Sequence, residues 1–217
     1  QEMLRELSRQ IAEEKIRPHS HEWDEAEKLP DELVKTLGKS DLFAVSIPEE
    51  YGGMGGGLME LVLATEEIAR VDGGVSATYA ASFLGLLPIL LCGTEEQKKK
   101  YLPGLATGER LATIAVTEPT GGSDPKGGRT SYKKDGDDYI INGRKCFITN
   151  SHIADTITIL AKDKENPDAF STFILEKGEA GFKPTHEEHK VGMRGCNTGE
   201  LAFENCRVPT ENLLGKE

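Results

Sequence analysis

The run Ile114-Ala-Val-Thr-Glu-Pro-Thr-Gly-Gly-Ser-Asp124 holds a dense set of groups able to do chemistry. It starts as an apolar strand, breaks at Pro119 and opens into a Gly-Gly-Ser loop. Thr117 and Ser123 supply hydroxyls, and Gly121 and Gly122 supply backbone N–H groups without side-chain bulk. That combination suits an anion or the phosphates of a flat cofactor. Glu118 lies inside the run, but beside Pro119 it fits a structural carboxylate better than a base. Other candidates are weaker. His186 and His189 bracket two glutamates, yet not in the H-E-x-x-H order of a zinc site, so no metal is expected. His19 and His21 read as solvated. Cys92, Cys146, Cys196 and Cys206 form no C-x-x-C pair, and reduced thiols are the expectation.

These groups need elements to place them. The chain has 217 residues, 37% hydrophobic and 29% charged, enough for one large or two modest globular domains. A net charge of -11 argues against a nucleic-acid partner, which would need a basic footprint. The first half has helical periodicity: Met3, Leu4, Leu7, Ile11 and Ile16; Leu33, Val34 and Leu37 after Pro30; Leu58, Leu61, Val62, Ala64 and Ile68. Thr94-Glu-Glu-Gln97 reads as a capping box opening a helix that closes before Pro103. Gly52 to Gly57 does not match G-x-G-x-x-G and reads as a mobile connector. From Gly73 to Thr94 there is no charge, which imitates a membrane span of roughly 20 residues. Ser76, Thr78, Ser82, Gly85 and Pro88 dilute it, so a helix buried on all sides is expected, with no membrane span.

The second half has strand patterning. Asp135-Gly136 and Asn142-Gly143 read as turns between Arg129–Lys134, Asp138–Ile141 and Lys145–Thr149. Ile157–Ala161, Thr172–Glu176 and Glu200–Phe203 add further strands. The expected fold is therefore α+β and multidomain: an all-α domain over 1–109, then a β-barrel or sandwich domain over 110–217.

Three segments together resemble the acyl-CoA dehydrogenase family. Thr117-Glu-Pro-Thr-Gly-Gly-Ser-Asp124 is similar to its T-E-P-x-x-G-S-D signature. Ile141-Asn-Gly-Arg-Lys-Cys-Phe-Ile-Thr-Asn150 is similar to its I-N-G-x-K-x-[WF]-I-T-N block. Gly192-Met-Arg-Gly-Cys-Asn-Thr-Gly-Glu-Leu201, followed by Phe203-Glu204 and Val208-Pro209, is similar to its G-x-R-x-S-x-T stretch. Ile47-Pro-Glu-Glu-Tyr-Gly-Gly53 and Thr65-Glu-Glu-Ile-Ala69 extend the likeness over the whole chain.

The resemblance implies a helical domain and a flavin-binding β-domain, with the family's C-terminal four-helix domain lacking. It implies FAD as cofactor and α,β-dehydrogenation of an acyl-CoA thioester, with a proton leaving the α-carbon and a hydride leaving the β-carbon for flavin N5. Thr117 would meet the pyrimidine edge, with Ile114 and Val116 along the ring. Gly122 and Ser123 would meet the pyrophosphate, Ser123 also lying near the acyl-CoA. Phe147, where many members have Trp, would stack on the ring, with Ile148 beside it and Thr149 near N5. Ser76, Ala77, Ala80 and Leu84 would line the acyl pocket, suiting a branched, cyclic or medium-length chain. The absence of Arg or Lys between Arg70 and Lys98 disfavours a dicarboxyl-CoA. No catalytic residue is expected within the chain, because the family's base is a glutamate of the lacking domain. The resemblance further implies fatty-acid and lipid metabolism, electron-transferring flavoprotein as acceptor, and a homo-oligomer, a tetramer at full length. The location would be the cytoplasm, or the mitochondrial matrix of a eukaryote. Two alternatives stay open: an oxidase or flavin monooxygenase of the same fold using O2, and a non-catalytic flavin-scaffold subunit of a hetero-oligomer.

Overall fold

The computed structural model describes residues 1–215. Six α-helices precede eight strands: α1 (Glu2–Ile11), α2 (Ser20–Glu25), α3 (Asp31–Lys39), α4 (Leu58–Ala69), α5 (Gly73–Cys92) and α6 (Glu95–Ala106), then β1 (Ala112–Ala115), β2 (Ser131–Asp135), β3 (Asp138–Thr149), β4 (Thr156–Asp163), β5 (Phe170–Glu176), β6 (Phe182–Glu187), β7 (Thr198–Pro209) and β8 (Leu213–Leu214). The helical half and the strand half follow the sequence reading, with differences that have physical causes.

In the helical half, Ile11 and Ile16 are five apart, too far for one face of a regular helix. A π-helical turn over Ala12–Ile16 absorbs the extra residue and buries both. Met3 and Leu7, expected to face inward, are exposed, as are Leu58 and Val62 of α4. Buried Glu67 takes part of the space on the inward side of α4, where Arg9 donates to it twice, at 2.9 and 2.8 Å. The Thr94 capping box forms, with Gln97 N donating to Thr94 Oγ1 at 3.2 Å and Thr94 N to Gln97 Oε1 at 2.8 Å. The helix does not close before Pro103 but runs through it to Ala106, with Pro103 on its exposed side. Gly52 to Gly57 is pinned rather than mobile, since the N–H groups of Met54, Gly55 and Gly56 donate to Ala44, Ile47 and Val45 carbonyls at 2.9 Å.

Helix α5 is the central strut. It packs on α4, α6, β1 and β4. It is not buried on all sides: Leu84 and Leu91 are 50% and 70% exposed. It is long and apolar enough to cross a membrane by composition, yet half of that window is buried against the rest of the protein. Gly85 permits its close approach to β1, because a Cβ there would lie 2.3 Å from Thr113 N.

The strands form one sheet in the order β6-β7-β3-β2-β4-β5-β8, with β1 beside β4. β1 and β2 both run parallel to β4, on its first and last residues respectively. The sheet is open, since β6 and β8 end it without pairing to each other. It nevertheless surrounds one core, in which Ala115, Tyr132, Tyr139, Ile159, Phe173, Phe182 and Phe203 come from seven different strands. Gly136 (φ +66°) makes the expected hairpin turn between β2 and β3. Asn142-Gly143 does not turn. β3 runs straight through it along β7, and the register shift there is a bulge on β7 at Asn205 (φ +51°), whose N–H donates to Asn142 Oδ1 at 2.9 Å.

Candidate functional site

Two local devices bring the chemistry-bearing segments together. The first is a tight turn after β1. Glu118 N donates to Gly121 O at 3.1 Å and Gly121 N to Glu118 O at 2.9 Å, so Pro119 and Thr120 form its tip. The Gly121 amide, expected to be free, is thus used within the turn. The amides of Gly122 and Ser123 and the hydroxyls of Thr117 and Ser123 have no hydrogen-bond partner among the described residues. A Cβ at Gly122 would lie 3.0 Å from Thr117 Oγ1, so a bare backbone lets the loop fold over Thr117.

The second device is a bulge in β3. Three steps along β3, from Lys145 to Ile148, oppose two along β7, from Leu201 to Gly199. Phe147 falls in the extra step, at φ +56°, and the residue is 65% exposed. A left-handed backbone under an aromatic residue is strained, and a large exposed ring gains little from the fold. Ile148 beside it is buried in the strand core, while Thr149 is half-buried with its hydroxyl unpaired among the described residues. Cys146 N donates to Thr117 O at 2.9 Å, joining the two segments directly. Ile114 and Val116 are half-buried on the same run.

A buried ion pair locks this join. Lys145 Nζ lies 2.8 Å from Glu118 Oε1 and 2.9 Å from Val116 O. Glu118 also accepts from Arg129 N at 2.5 Å and Thr130 N at 3.0 Å. Burial works against the Glu118 charge, but Lys145 and the backbone donors outweigh it and hold the carboxyl below the ordinary range. Glu118 is therefore a structural anchor with its acceptor sites occupied. The sequence reading had not singled out Lys145; its place in the middle block, two residues before Phe147, was the available signal.

The four α5 residues divide. Ala77, Ala80 and Leu84, spaced i, i+3 and i+7, share a partly open stripe. Ser76 is buried and donates to Thr65 O of α4 at 3.4 Å. α5 is bonded to the sheet at two levels: Thr158 Oγ1 donates to Gly85 O at 3.1 Å, and Asn150 Nδ2 donates to Thr78 O at 3.0 Å and Ser82 Oγ at 3.3 Å. Asn150, missed as an individual residue, thus connects the stripe-bearing helix to the end of β3.

The third block lies behind this join. Asn197 O accepts from Asn150 N at 2.8 Å, and Asn197 Oδ1 accepts from His152 N at 2.8 Å. Arg194 reaches the helical half through Glu27 at 2.5 Å, where His189 also bonds, at 2.6 Å. Arg194 first, then His189, holds the Glu27 carboxyl below the usual range. Beside them a cleft of about 820 Å³ is lined by His152, His186, His189 and several carboxylates, but by none of Thr117–Ser123 or Phe147–Thr149. No group of three His, Cys, Asp or Glu among the described residues is arranged to hold a metal ion.

The Thr117–Ser123 turn and the Phe147–Thr149 end of β3, joined through Cys146 N and Thr117 O, carry an exposed aromatic residue and unspent donors and acceptors. Such a surface can take a flat heteroaromatic group together with an anion. Comparison with known proteins gives the family. Residues 1–109 match the model for the acyl-CoA dehydrogenase N-terminal domain, and residues 113–206 match that for the middle domain. The short-chain-specific acyl-CoA dehydrogenase of Clostridium acetobutylicum is 41% identical over 100% of this chain and 58% of its own length. Butyryl-CoA dehydrogenase of Megasphaera elsdenii superposes with a TM-score of 0.94 at 36% identity, over 100% of this chain and 58% of that one. An acyl-CoA dehydrogenase of Bacillus anthracis complexed with FAD gives 0.92 at 39% identity, over 99% and 37%. The chain therefore spans 58% of the length of the first two. With the N-terminal and middle domain models matched in order over residues 1–109 and 113–206, the chain belongs to the acyl-CoA dehydrogenase family.

Proposed function

We propose that this chain, with a helical domain over 1–109 and a β-domain over 110–217, supplies the flavin-facing and acyl-facing walls of an FAD-dependent acyl-CoA dehydrogenase. The observation that carries this reading is Phe147, an exposed aromatic on a left-handed bulge, in a segment that the Cys146 N–Thr117 O bond joins to the turn bearing unpaired polar groups at Thr117, Gly122 and Ser123. That donor set fits FAD: a stacking face, hydroxyls for ring edges, and bare amides for a pyrophosphate. When bound, FAD supplies the hydride acceptor. Phe147 excludes water from one face of the ring. Thr117 and Thr149 orient its polar edge, while Gly122 and Ser123 offer N–H groups to phosphate oxygens. Ala77, Ala80 and Leu84 give an uncharged wall for the acyl chain, which suits a branched, cyclic or medium-length apolar group and not a dicarboxylate.

Proton removal from the α-carbon needs a free base. Glu118 is not that base, because Lys145, Arg129 N and Thr130 N occupy it. The base therefore comes from outside this wall, and the acceptor we assign is electron-transferring flavoprotein. Anaerobic addition of a branched or medium-length acyl-CoA to the FAD-loaded full gene product should bleach the flavin band near about 450 nm. The 217-residue chain with FAD alone should not bleach. Reduction by the isolated chain would overturn the assignment of the base, and failure of every acyl-CoA to reduce the full gene product would overturn the activity. Peroxide formed in stoichiometric yield during turnover would identify an oxidase instead.

A further inference from the structure

Asn150 ends the segment that carries Phe147 and Thr149, and it is fully buried. Its backbone is left-handed, at φ +64°. Three pieces of the molecule meet on it. Its N–H donates to Asn197 O at 2.8 Å, and its carbonyl accepts from Ile153 N at 3.1 Å and Ala154 N at 2.8 Å. Its side-chain Nδ2 reaches α5, at Thr78 O and Ser82 Oγ. Thr78 and Ser82 are buried two positions either side of Ala80 along α5, so the amide grips the inward side of the helix at the same level as the acyl wall. One residue before it, Thr149 O accepts from Thr113 Oγ1 of β1 at 2.5 Å.

The residue is costly for the fold. Glycine would meet the backbone requirement without strain. Asn150 Oδ1 is buried with no hydrogen-bond partner among the described residues, as is Thr78 Oγ1. A side chain kept only for packing gains nothing by leaving an acceptor unmatched. Backbone strain and an unmatched polar atom on one residue, next to a wall of unspent donors, point to a role in the site.

We propose that Asn150 is a positioning residue that sets the separation between the flavin-facing end of β3 and the acyl-facing stripe of α5. This rests on the function assigned above. The residue touches neither cofactor nor substrate; it holds the two walls at the spacing that hydride transfer requires. Transfer rates are steep in that spacing, with a displacement of about 1 Å costing up to about 100-fold.

The test uses the full gene product and two variants. Asn150→Gly keeps the left-handed backbone and removes the grip on α5. Asn150→Asp keeps the size but cannot donate to Thr78 O. FAD content, the dissociation constant of a non-reducible acyl-CoA thioether, the flavin spectral shift on binding it, and the limiting rate of flavin reduction are measured for each. For Asn150→Gly, FAD content and thioether affinity should stay within about threefold of the parent. The limiting rate should fall at least about tenfold, and the spectral shift should shrink. Asn150→Asp should fall at least as far. A limiting rate within about twofold of the parent in Asn150→Gly would overturn the proposal. So would a rate lost only in proportion to FAD content, because that marks a residue that merely holds the fold. A parent protein that is never reduced would fail at the function reading instead, and the two failures are thereby distinguished.

Discussion

Breaking the Lys145–Glu118 pair is the sharpest test of how the flavin-facing wall is held. The pair is buried, its charges are 2.8 Å apart, and it ties the Thr117 turn to β3. In Glu118→Gln the Lys145 ammonium stays buried with Val116 O as its remaining acceptor. Removing one partner of a buried pair costs about 3–5 kcal/mol. The Gln oxygen can still accept from Arg129 N or Thr130 N, which puts the expected loss near about 3 kcal/mol. Lys145→Met should cost about the same, because Glu118 then relies on two backbone donors alone. The double variant leaves no buried charge and should be more stable than either single, giving a coupling energy above about 1 kcal/mol. The acid limb supplies a further check. Glu118 is held below its unfolded range in the native state, so its contribution is present above the unfolded pKa and is lost as pH falls through the folded value. Lys145→Met should flatten that loss. Urea unfolding of the four proteins followed by circular dichroism, at neutral and acidic pH, measures all of this. Single-variant losses below about 1 kcal/mol, or strict additivity in the double, would refute the reasoning.

Other parts of the molecule give independent expectations. Phe147→Gly relieves a left-handed strain of about 1–2 kcal/mol against a glycine entropy cost of about 0.5–1 kcal/mol. Stability by urea titration should therefore hold within about 1 kcal/mol, while flavin affinity should fall at least about tenfold; a large loss of stability would mark Phe147 as a packing residue. Gly85→Ala drives a Cβ to 2.3 Å from Thr113 N and 2.6 Å from Thr113 Cα, a backbone clash that should cost at least about 2 kcal/mol in thermal or urea unfolding. At Glu176, burial works against the charge, but Arg110 at 2.6 Å and Lys100 at 2.9 Å bring the carboxyl down to about 2. Its stabilisation is present above the unfolded pKa of about 4.3 and is lost as pH falls toward 2. Allowing for solvent at this partly open site, Glu176→Gln should cost about 1–2 kcal/mol at pH 7, a cost that shrinks steadily as pH falls through the folded value, by unfolding at each pH.

Periodicity and motif order were enough to read the change from helices to strands, and to bring out the Thr117 and Phe147 segments. What stayed hidden depends on long-range partners. Asn142-Gly143 has the composition of a hairpin turn, but β7 is long enough to pair past it, and the extra residue goes into a bulge at Asn205. Gly121 looked like a free donor because its partner, Glu118 O, becomes available only once Pro119 turns the chain. Met3 and Leu7 fit a helical stripe that the structure leaves exposed, whereas buried Glu67 shows no apolar signal and is held in place by Arg9, 58 positions away. The π-helical turn that buries Ile16 could be suspected only from a spacing of five. Lys145 and Asn150 were inside a recognised block, yet their partners, Glu118 and the α5 turn at Thr78, are visible only in three dimensions.

The central claim is that Thr117 to Ser123 and Phe147 to Thr149 form one flavin-binding wall. Titrating the isotopically labelled chain with FAD and following its backbone amides by NMR tests this directly, and works even where affinity is weak. Shifts should concentrate at Thr117, Gly122, Ser123, Phe147 and Thr149 and be lost in Phe147→Gly. Shifts centred instead on the cleft at His152, His186 and His189, or none at millimolar FAD, would contradict it.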